Sequence, residues 1–198
     1  VYGFVPGKSA IDAANMHINA RWVYSVDIED FFPTTTNVII KESLRTIGYT
    51  SEAADIITGI CCYKDTLAQG APSSPVLSNL VFKDLDRRLK EISDNNQIRF
   101  TRYADDIVFS GIDEFPTVIK DQISGLFKET CWKLSPVKEY FAERPKRLKV
   151  HGLLVHGEKA RLTKGYRNRI RAYKYLLNTG KIRSEDFDRV IGHIRYAE

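Results

Sequence analysis

Three aspartates stand in sequence surroundings where a carboxylate is unexpected. Asp27 interrupts the otherwise apolar and aromatic stretch 22–28, and the adjacent Asp105 and Asp106 precede the apolar run 107–109. Burying an unpaired carboxylate costs free energy, and crowding several together costs more unless cations neutralise them. Hard oxygen ligands without histidine or cysteine select Mg²⁺ or Mn²⁺ rather than zinc. Two such ions would activate an attacking hydroxyl and stabilise a leaving pyrophosphate.

The segments that must position these aspartates are predicted to be strands. Residues 22–28 are rich in β-branched and aromatic types, which is typical of a buried strand. Residues 98–102 and 107–110 predict two short strands around the turn Tyr103–Asp106. Successive side chains of a regular strand point to opposite faces, but a tight turn relaxes that rule. We therefore expect the turn to direct its aspartates toward Asp27, although an Asp-Asp pair alone is more typical of an ordinary turn.

Helical periodicity predicts most of the other elements. A long helix is expected to begin at Ser74-Pro75, a capping serine followed by proline, with an apolar stripe through Ile92. Thr50 or Ser51 is the expected start of an earlier helix. The helices before residue 165 are expected at about 37–47, 51–63, from 74 onward and near 116–130.

The C-terminal part is predicted to contain one strand and two helices. The strand lies near 149–155, and Gly157 turns the chain back toward Leu162. Helices are expected at about 166–178 and 184–196, with Ser184 as the cap of the second. Mixed helices and strands around an antiparallel hairpin predict an α+β fold.

Three further features lie where a nucleotide site would need them. Gln69–Pro75 combines a flexible glycine with a helix N-terminus, where free N–H groups favour anions. Phe31 and Phe32 can form an aromatic wall beside a sugar, and Lys138 can supply a cation or a proton near a leaving phosphate. Each feature taken alone also has an ordinary explanation, which for the last two is the favoured one: a capped turn for Gln69–Pro75, core packing for Phe31 and Phe32, and a surface lysine for Lys138.

Positive charge is concentrated in one part of the chain. The net charge is only +5, but residues 144–183, which we call the cationic segment, contain 13 lysines and arginines against the single acid Glu158. Tyrosines at 166, 173 and 175 are interleaved with these cations. Such segregation suits a polyanion, because each neutralised phosphate releases counterions. The alternative is a solvated basic helix face.

Composition excludes several classes of protein. The 198 residues are 43% hydrophobic and 28% charged, which is ordinary for a globular chain and unlike a disordered one. No apolar run approaches the roughly 18–20 residues that span a bilayer, so no membrane association is expected. Three cysteines without metal-ligand spacing predict neither a disulfide framework nor a zinc site, and favour the cytoplasm. The first residues read as interior sequence without a leader, as in a piece of a longer protein.

The order of these motifs resembles a reverse transcriptase of the bacterial retron and group II intron type. The aspartate motif Val26–Pro33 and the signature turn Tyr103–Asp106 are the most specific parts of the resemblance. The remaining blocks that match are Phe4–Ser9, Gln69–Pro75 with Asn79, Lys138 as the palm lysine, Lys149–Leu153 as the primer grip, and 166–198 as the beginning of the thumb.

The resemblance implies a right-hand polymerase fold and a division of labour among residues. Partial fingers would comprise 1–21 and 37–68, the palm 22–36 and 69–165, and the thumb would begin at 166–198. Asp27, Asp105 and Asp106, with the carbonyl of Ile28, would hold two Mg²⁺ ions. Residues expected at the nucleotide are Phe31, Phe32, Gln69 and Gly70, with Phe32 excluding a ribose 2′-hydroxyl, and Lys138 is expected to be catalytic. Residues expected at template and primer are Tyr103, Ser74, Pro75, Gly152, Leu153, Arg161, Lys164, Arg167 and Arg171.

The implied activity is RNA-directed DNA synthesis from deoxynucleoside triphosphates on an RNA template with an RNA or DNA primer. Retron-type relatives imply a structured non-coding RNA and an effector protein as partners. Two departures concern the partner RNA: residues 13–17 keep His17 but not the asparagine of Asn-Ala-x-x-His, and Val-His-Gly at 150–152 replaces Val-Thr-Gly. A structural role, an RNA contact and a catalytic role are all open for His17, and the chemistry needs no acid–base role from it. The first fingers block is missing, so the chain is expected to extend primers poorly.

Other functions fit the sequence less well. Gly3 and Gly7 enclose three residues rather than the four of a phosphate-binding loop, which argues against an ATPase. A nucleotide cyclase would not explain Gln69–Pro75 or the cationic segment. A metal-dependent nuclease, an RNA-binding palm without turnover, and a group II intron or antiviral-defence role stay open as alternatives.

Overall fold

A four-stranded antiparallel sheet, which we call the central sheet, forms the middle of the computed structural model. The model describes residues 1–197, so the last residue of the predicted thumb, 198, lies outside it. The spatial order is β4-β5-β1-β6, and every neighbouring pair is antiparallel. The strands in chain order are β1 (Trp22–Asp27), β2 (Cys62–Tyr63), β3 (Thr66–Leu67), β4 (Arg99–Tyr103), β5 (Asp106–Gly111), β6 (Tyr140–Glu143), β7 (Lys149–Val150), β8 (Leu153–Leu154) and β9 (Arg161–Leu162).

Helices α6 (Lys83–Asn95) and α7 (Val118–Lys128) pack against one face of the central sheet, and further helices precede and follow it in the chain. The α+β class is therefore confirmed. None of the helices within residues 1–197 is long and apolar enough to cross a membrane. The helices in chain order are α1 (Ala10–Asn15), α2 (Phe31–Thr34), α3 (Asn37–Thr46), α4 (Ser51–Cys61), α5 (Ser74–Val81), α6 (Lys83–Asn95), α7 (Val118–Lys128), α8 (Lys164–Asn178) and α9 (Phe187–Tyr196).

Strand β1 is apolar along most of its length because both of its faces are covered. Trp22, Tyr24 and Val26 pack toward α6 and α7 in one core, while Val23 belongs to a second core on the opposite face with Val108 and residues of β7 and β8. Alternating side chains of one strand thus supply two cores. Asp27 is the last residue of this strand.

The N-terminal half differs from expectation at several elements. Helices α1 and α2 were not predicted, and the helix expected at 51–63 ends at Cys61, because Cys62 and Tyr63 form β2 and pair with β3.

The predicted long helix is two helices, α5 and α6, which meet at Phe82, a fully buried residue of the central core. Ser74 is not the cap: Ser73 precedes the helix without a side-chain cap, and the hydroxyl of Ser74 donates to the carbonyl of Ala68 at 2.7 Å. Thr50 caps α4, as predicted.

The C-terminal half contains two corrections. The single strand expected at 149–155 is a tight hairpin, because His151 and Gly152 form a turn between β7 and β8, with positive φ at both residues. The chain then returns through Gly157 to pair β8 with β9, as predicted. Ser184 does not cap α9; it opens a short 3-10 helix, Ser184–Asp186, and Asp186 precedes α9.

Candidate active site

Asp27 and Asp106 are direct cross-strand partners. Their Cα atoms are paired at the end of the β1–β5 ladder, so the two carboxylates emerge on the same face of the central sheet. Asp27 is largely covered, with 18% of its side chain exposed, and Asp106 is 35% exposed. Pairing in register, rather than the relaxed geometry of a turn, brings these two acids together. We call this edge of the sheet the carboxylate end.

Asp105 lies in the two-residue turn between β4 and β5. Ala104 adopts the left-handed conformation, with φ of 57°, which closes the turn. The carbonyl of Asp105 accepts the N–H of Ile28 at 3.1 Å, so the turn is fixed to the chain just beyond Asp27. Burial raises the pKa of Asp105 above its ordinary value, and the negative charges of Asp27 and Asp106 raise it further. The third carboxylate therefore lies in the field of the other two.

Lys138 and His151 hydrogen-bond to two of the three carboxylates, those of Asp27 and Asp106. The ammonium of Lys138 donates to Asp27 at 2.6 Å, and this hydrogen bond raises the pKa of Lys138. Nδ1 of His151 lies 2.8 Å from a carboxylate oxygen of Asp106. Nε2 of the same ring is buried without a hydrogen-bond partner, and the ring contacts Tyr103 at a centroid distance of 5.5 Å. Within residues 1–197 no three His, Cys, Asp or Glu side chains are gathered closely enough to hold a metal ion.

A buried network supports the turn from behind, and sequence reasoning missed it. Arg102 is fully buried and binds both carboxylate oxygens of Asp86, at 2.7 and 2.6 Å. It also donates to the carbonyl of Ala104 at 2.9 Å and to the amide oxygen of Asn79 at 3.0 Å. Asn79 in turn donates to the carbonyl of Gly3 at 2.9 Å. An arginine inside a predicted strand, two residues before the turn, was the signal that could have revealed this network.

The N-terminal segment completes this support. The N–H of Tyr2 donates to the carbonyl of Arg102 at 2.8 Å, so the segment lies beside edge strand β4. A Cβ at Gly3 would lie 2.3 Å from the backbone nitrogen of Ala104. Only glycine permits this approach. The turn that carries Asp105 is thus clamped between Arg102 and the backbone of residues 2–3.

A cavity of about 300 Å³ opens beside Asp105 and Lys138. Phe32 and Gln69 line it together with Phe31, so the structure brings these predicted nucleotide residues together. Phe31 is buried and stacks on Phe32 at 5.6 Å, and it also contacts the core residue Phe82. Phe31 therefore serves core packing as well as the cavity wall. Gly70, with φ of 89°, is exposed and does not line the cavity.

The predicted template and primer residues fall into two groups. Ser74 and Leu153 are buried, whereas Gly152 is exposed and Tyr103 and Pro75 are partly buried. Ser74 and Leu153 therefore position backbone rather than present a side chain. The four cations at the start of the predicted thumb are partly or fully exposed: Arg161, Lys164, Arg167 and Arg171.

His17 is a structural residue in this fold. It is fully buried and hydrogen-bonded at 2.7 Å through both ring nitrogens, to Ser110 and to Thr101. Burial lowers its pKa to about 3, with a smaller contribution from His151. Of the structural, RNA-contacting and catalytic roles considered for His17, the structure supports the structural one.

Comparison with known proteins assigns the family. A family model described as "Reverse transcriptase (RNA-dependent DNA polymerase)" matches residues 1–176. The chain belongs to the reverse transcriptase family. Among its relatives, the Retron Ec86 reverse transcriptase of Escherichia coli is 31% identical over 196 residues, covering 98% of this chain and 60% of that protein. This reverse transcriptase chain therefore spans about 60% of the length of that relative.

Solved structures of polymerases share the fold of this reverse transcriptase. Telomerase from Candida albicans, solved with a fragment of telomeric RNA, aligns with a TM-score of 0.56 at 9% identity, covering 78% of this chain and 34% of that one. A foamy viral protease-reverse transcriptase, solved with double-stranded DNA, aligns with a TM-score of 0.55 at 16% identity, covering 100% and 31%. At such identities the likeness concerns the fold alone. It agrees with the predicted polymerase palm.

Proposed function

We propose that this chain carries the catalytic core of a retron-type RNA-directed DNA polymerase. It extends the 3′-hydroxyl of an RNA or DNA primer with deoxynucleoside triphosphates on an RNA template. The observation that carries the proposal is the cross-strand pairing of Asp27 and Asp106 beside Asp105, in a chain of the reverse transcriptase family. The retron relatives support the subtype.

The chemistry of the three carboxylates suits divalent cations, and their side chains would have to draw closer together than in this structure to bind one. Three carboxylates at one edge of the sheet offer hard oxygen ligands, and the raised pKa of Asp105 is what a partly buried carboxylate near two others would have before a cation binds. Asp27, Asp105 and Asp106, with the carbonyl of Ile28, are the proposed ligands of two Mg²⁺ ions, or of Mn²⁺ in their place. Bound there, the ions would activate the primer hydroxyl and neutralise the departing pyrophosphate. Lys138 and His151 hydrogen-bond to two of the carboxylates, so these contacts must loosen when the ions bind.

The chain's own residues provide the nucleotide pocket. Phe32 and Gln69 line the cavity beside Asp105, and the cavity volume of about 300 Å³ is at the lower end of small-molecule sites. The ring of Phe32 lies against Phe4 and Phe31, which fix its position. A fixed ring at this wall would exclude a ribose 2′-hydroxyl by contact. Ribonucleotide incorporation by a Phe32→Ala variant measures this role, and no gain relative to the parent would remove it.

Lys138 lies at the mouth of the same cavity, with 59% of its side chain exposed. If Asp27 held a cation, the ammonium of Lys138 would be free to meet a triphosphate in the cavity that it lines. Its second proposed role, proton donation to the leaving pyrophosphate, follows from the same position. Primer and template would lie over Tyr103 and Gly152 and be held by the cations Arg161, Lys164, Arg167 and Arg171.

The test of the proposal is an Asp105→Asn variant. Extension of a labelled primer on an RNA template should be abolished, while RNA binding measured by fluorescence anisotropy should persist. Addition of Mg²⁺ should raise the melting temperature of the parent chain but not of the variant, because only the parent keeps its ligand set. Asp121→Asn, which removes an exposed aspartate on α7, is the matched control. Unaltered incorporation by the Asp105 variant would overturn the assignment.

One observation favours a second candidate, an RNA-binding palm without turnover. Lys138 and His151 already hydrogen-bond to Asp27 and Asp106, as they would in a site that never receives ions. This candidate predicts RNA binding without incorporation and no Mg²⁺-dependent rise in melting temperature. The same pair of measurements therefore separates the two candidates.

The retron assignment also predicts partners. We expect a structured non-coding RNA that primes synthesis, and an effector protein encoded with it. Sequencing the nucleic acid that co-purifies with the full-length protein tests this point. A covalent RNA–DNA product supports the retron type, whereas a long structured intron would replace it with intron mobility.

A further inference from the structure

The cationic segment lies on different structural elements. Its later part lies on α8, which begins at Lys164 beyond the β7–β9 sheet. Its first part, residues 144–148, follows β6 and forms a loop that we call the distal loop. The backbone N–H of Arg144 donates to the carbonyl of Arg21 at 2.9 Å, immediately before β1 begins. Since Asp27 lies six residues further along that strand, the distal loop is about 20 Å from the carboxylate end.

The distal loop borders an open surface cavity of about 500 Å³, which we call the distal cavity. Arg144, Lys146 and Arg147 line it from the loop, and His156 lines it from the segment that follows β8. The loop and His156 are held together because the N–H of Val155 donates to the carbonyl of Leu148 at 3.2 Å, and both of these residues are buried in the core. The cavity is thus built on fixed backbone with exposed cations at its rim.

The two arginines and the lysine that line the distal cavity have no acidic partner among the described residues. Within residues 1–197, Arg144, Lys146 and Arg147 form no ion pair, and the neighbouring Glu143 is already bound to Arg21 at 3.0 Å. A cluster of unpaired cations around a concave surface attracts a polyanion. An imidazole ring and arginine side chains at the same cavity offer flat surfaces on which a base can stack.

We propose that the distal cavity binds an unpaired nucleotide of RNA, separately from the copying site. A regular duplex presents only its backbone to a concave pocket, whereas an unpaired strand can place a base inside the pocket and its phosphates on the rim. At about 20 Å from Asp27, this nucleotide cannot be the one being copied. The proposal rests on the proposed function only in naming RNA as the polyanion. On this basis the site would hold a single-stranded part of the RNA while the carboxylate end works on another part.

The test compares single strands with duplexes in the inactive Asp105→Asn background, so that failure of DNA synthesis and failure of this site remain distinguishable. The probes are a labelled single-stranded RNA of about 12 nucleotides, within the usual site size, and an RNA–DNA duplex of the same length. Arg144→Ala/Arg147→Ala should weaken single-strand binding about tenfold or more. It should also reduce the slope of log affinity against log salt by about 1.4, because each of the two cations neutralises one phosphate and contributes about 0.7. Duplex binding should change much less.

Two further variants sharpen the outcome. His156→Ala should weaken single-strand binding severalfold with an unchanged salt slope, because stacking involves no counterion release. Lys83→Ala/Lys128→Ala removes two cations from α6 and α7 and should affect neither probe. Equal losses of affinity for single strand and duplex would overturn the proposal, because the loop would then belong to the primer–template grip. Polyglutamate that competes as strongly as the RNA would also overturn it, in favour of an acidic protein partner.

Discussion

The carboxylate end of the central sheet and the cationic segment 144–183 use charge in opposite ways. At the carboxylate end the charges are paired: Arg102 binds Asp86, Lys138 binds Asp27 and His151 lies against Asp106. In the cationic segment most cations are exposed, and the segment contains 13 basic residues but only one acidic residue. Catalysis needs carboxylates held in fixed positions, which only burial and paired contacts provide. Nucleic-acid binding needs positive charge within reach of the phosphates. Mobile, solvated side chains can provide that charge.

This contrast predicts very different sensitivities to mutation. Substitutions behind the turn should reduce the free energy of unfolding and distort the site. Substitutions of exposed cations should leave folding intact and act on binding alone.

The largest effect is expected for Arg102. An Arg102→Met variant leaves Asp86 buried without its partner, which should cost about 3–5 kcal/mol of unfolding free energy. Urea denaturation measures this loss. Arg87→Ala, which breaks an exposed pair with Glu91 on α6, is the control and should change stability by about 0.5 kcal/mol or less. The double variant Arg102→Met/Asp86→Leu should recover much of the stability, and a double variant as unstable as the single one would contradict the account.

Gly3 should show the next largest effect. A methyl group at this residue would meet the backbone nitrogen of Ala104, which cannot move without moving Asp105. We expect Gly3→Ala to cost about 3 kcal/mol, near the upper end for overpacking, and to lower the rate of primer extension. Gly125→Ala is the matched control, because open space surrounds Gly125 within helix α7 and the change should stabilise by about 0.5–1 kcal/mol. Equal stability of the two variants would show that the N-terminal segment does not clamp the turn.

The buried His17 predicts how the free energy of unfolding depends on pH. Its pKa is about 3 in the folded chain and about 6.5 when exposed, so the unfolded chain binds the proton more tightly. The stability that the neutral ring contributes is present above pH 6.5 and is lost as the pH falls toward 3. Between about pH 7 and pH 5 the free energy of unfolding should decrease by about 2 kcal/mol from this group.

Replacement of His17 isolates its contribution. His17→Gln should remove most of the decrease over the same pH range, whereas the exposed His156→Gln should retain it. If both variants keep the full pH dependence, His17 is not the titrating group.

The smallest effect on stability is expected for α8. Arg167→Ala/Arg171→Ala removes two exposed cations and should change the free energy of unfolding by no more than about 0.5 kcal/mol. Binding of a primer–template duplex should nevertheless weaken, with a salt slope reduced by about 1.8, or about 0.9 for each neutralised phosphate. A salt titration of binding measures this, and an unchanged slope would place the duplex elsewhere.

Several parts of the site could be predicted from residue patterns alone. The apolar and aromatic residues around Asp27 predicted a buried strand, and the residues flanking 103–106 predicted the hairpin, because both signals are local. The signature turn and the aspartate motif also identified the family, which the comparison confirmed. The predicted roles of Lys138 and of the exposed cations stay predictions. The structure shows only that the ammonium of Lys138 donates a hydrogen bond to Asp27.

Other parts depended on contacts between distant segments. Strand β6, the α5–α6 break at Phe82 and the turn at His151 were missed, because their segments are short and are fixed by neighbours across the sheet or in the core. A two-residue strand carries almost no periodic signal.

By itself the sequence determined that this chain has carboxylates in apolar surroundings, a cation-rich segment and the motifs of a reverse transcriptase. Only the tertiary structure decided that Asp27 opposes Asp106, that Arg102 supports the turn, and that the start of the cationic segment lines a cavity together with His156. The physical reason is that periodicity and composition act over a few neighbouring residues. Cross-strand register and burial instead depend on which distant segments pack together most favourably.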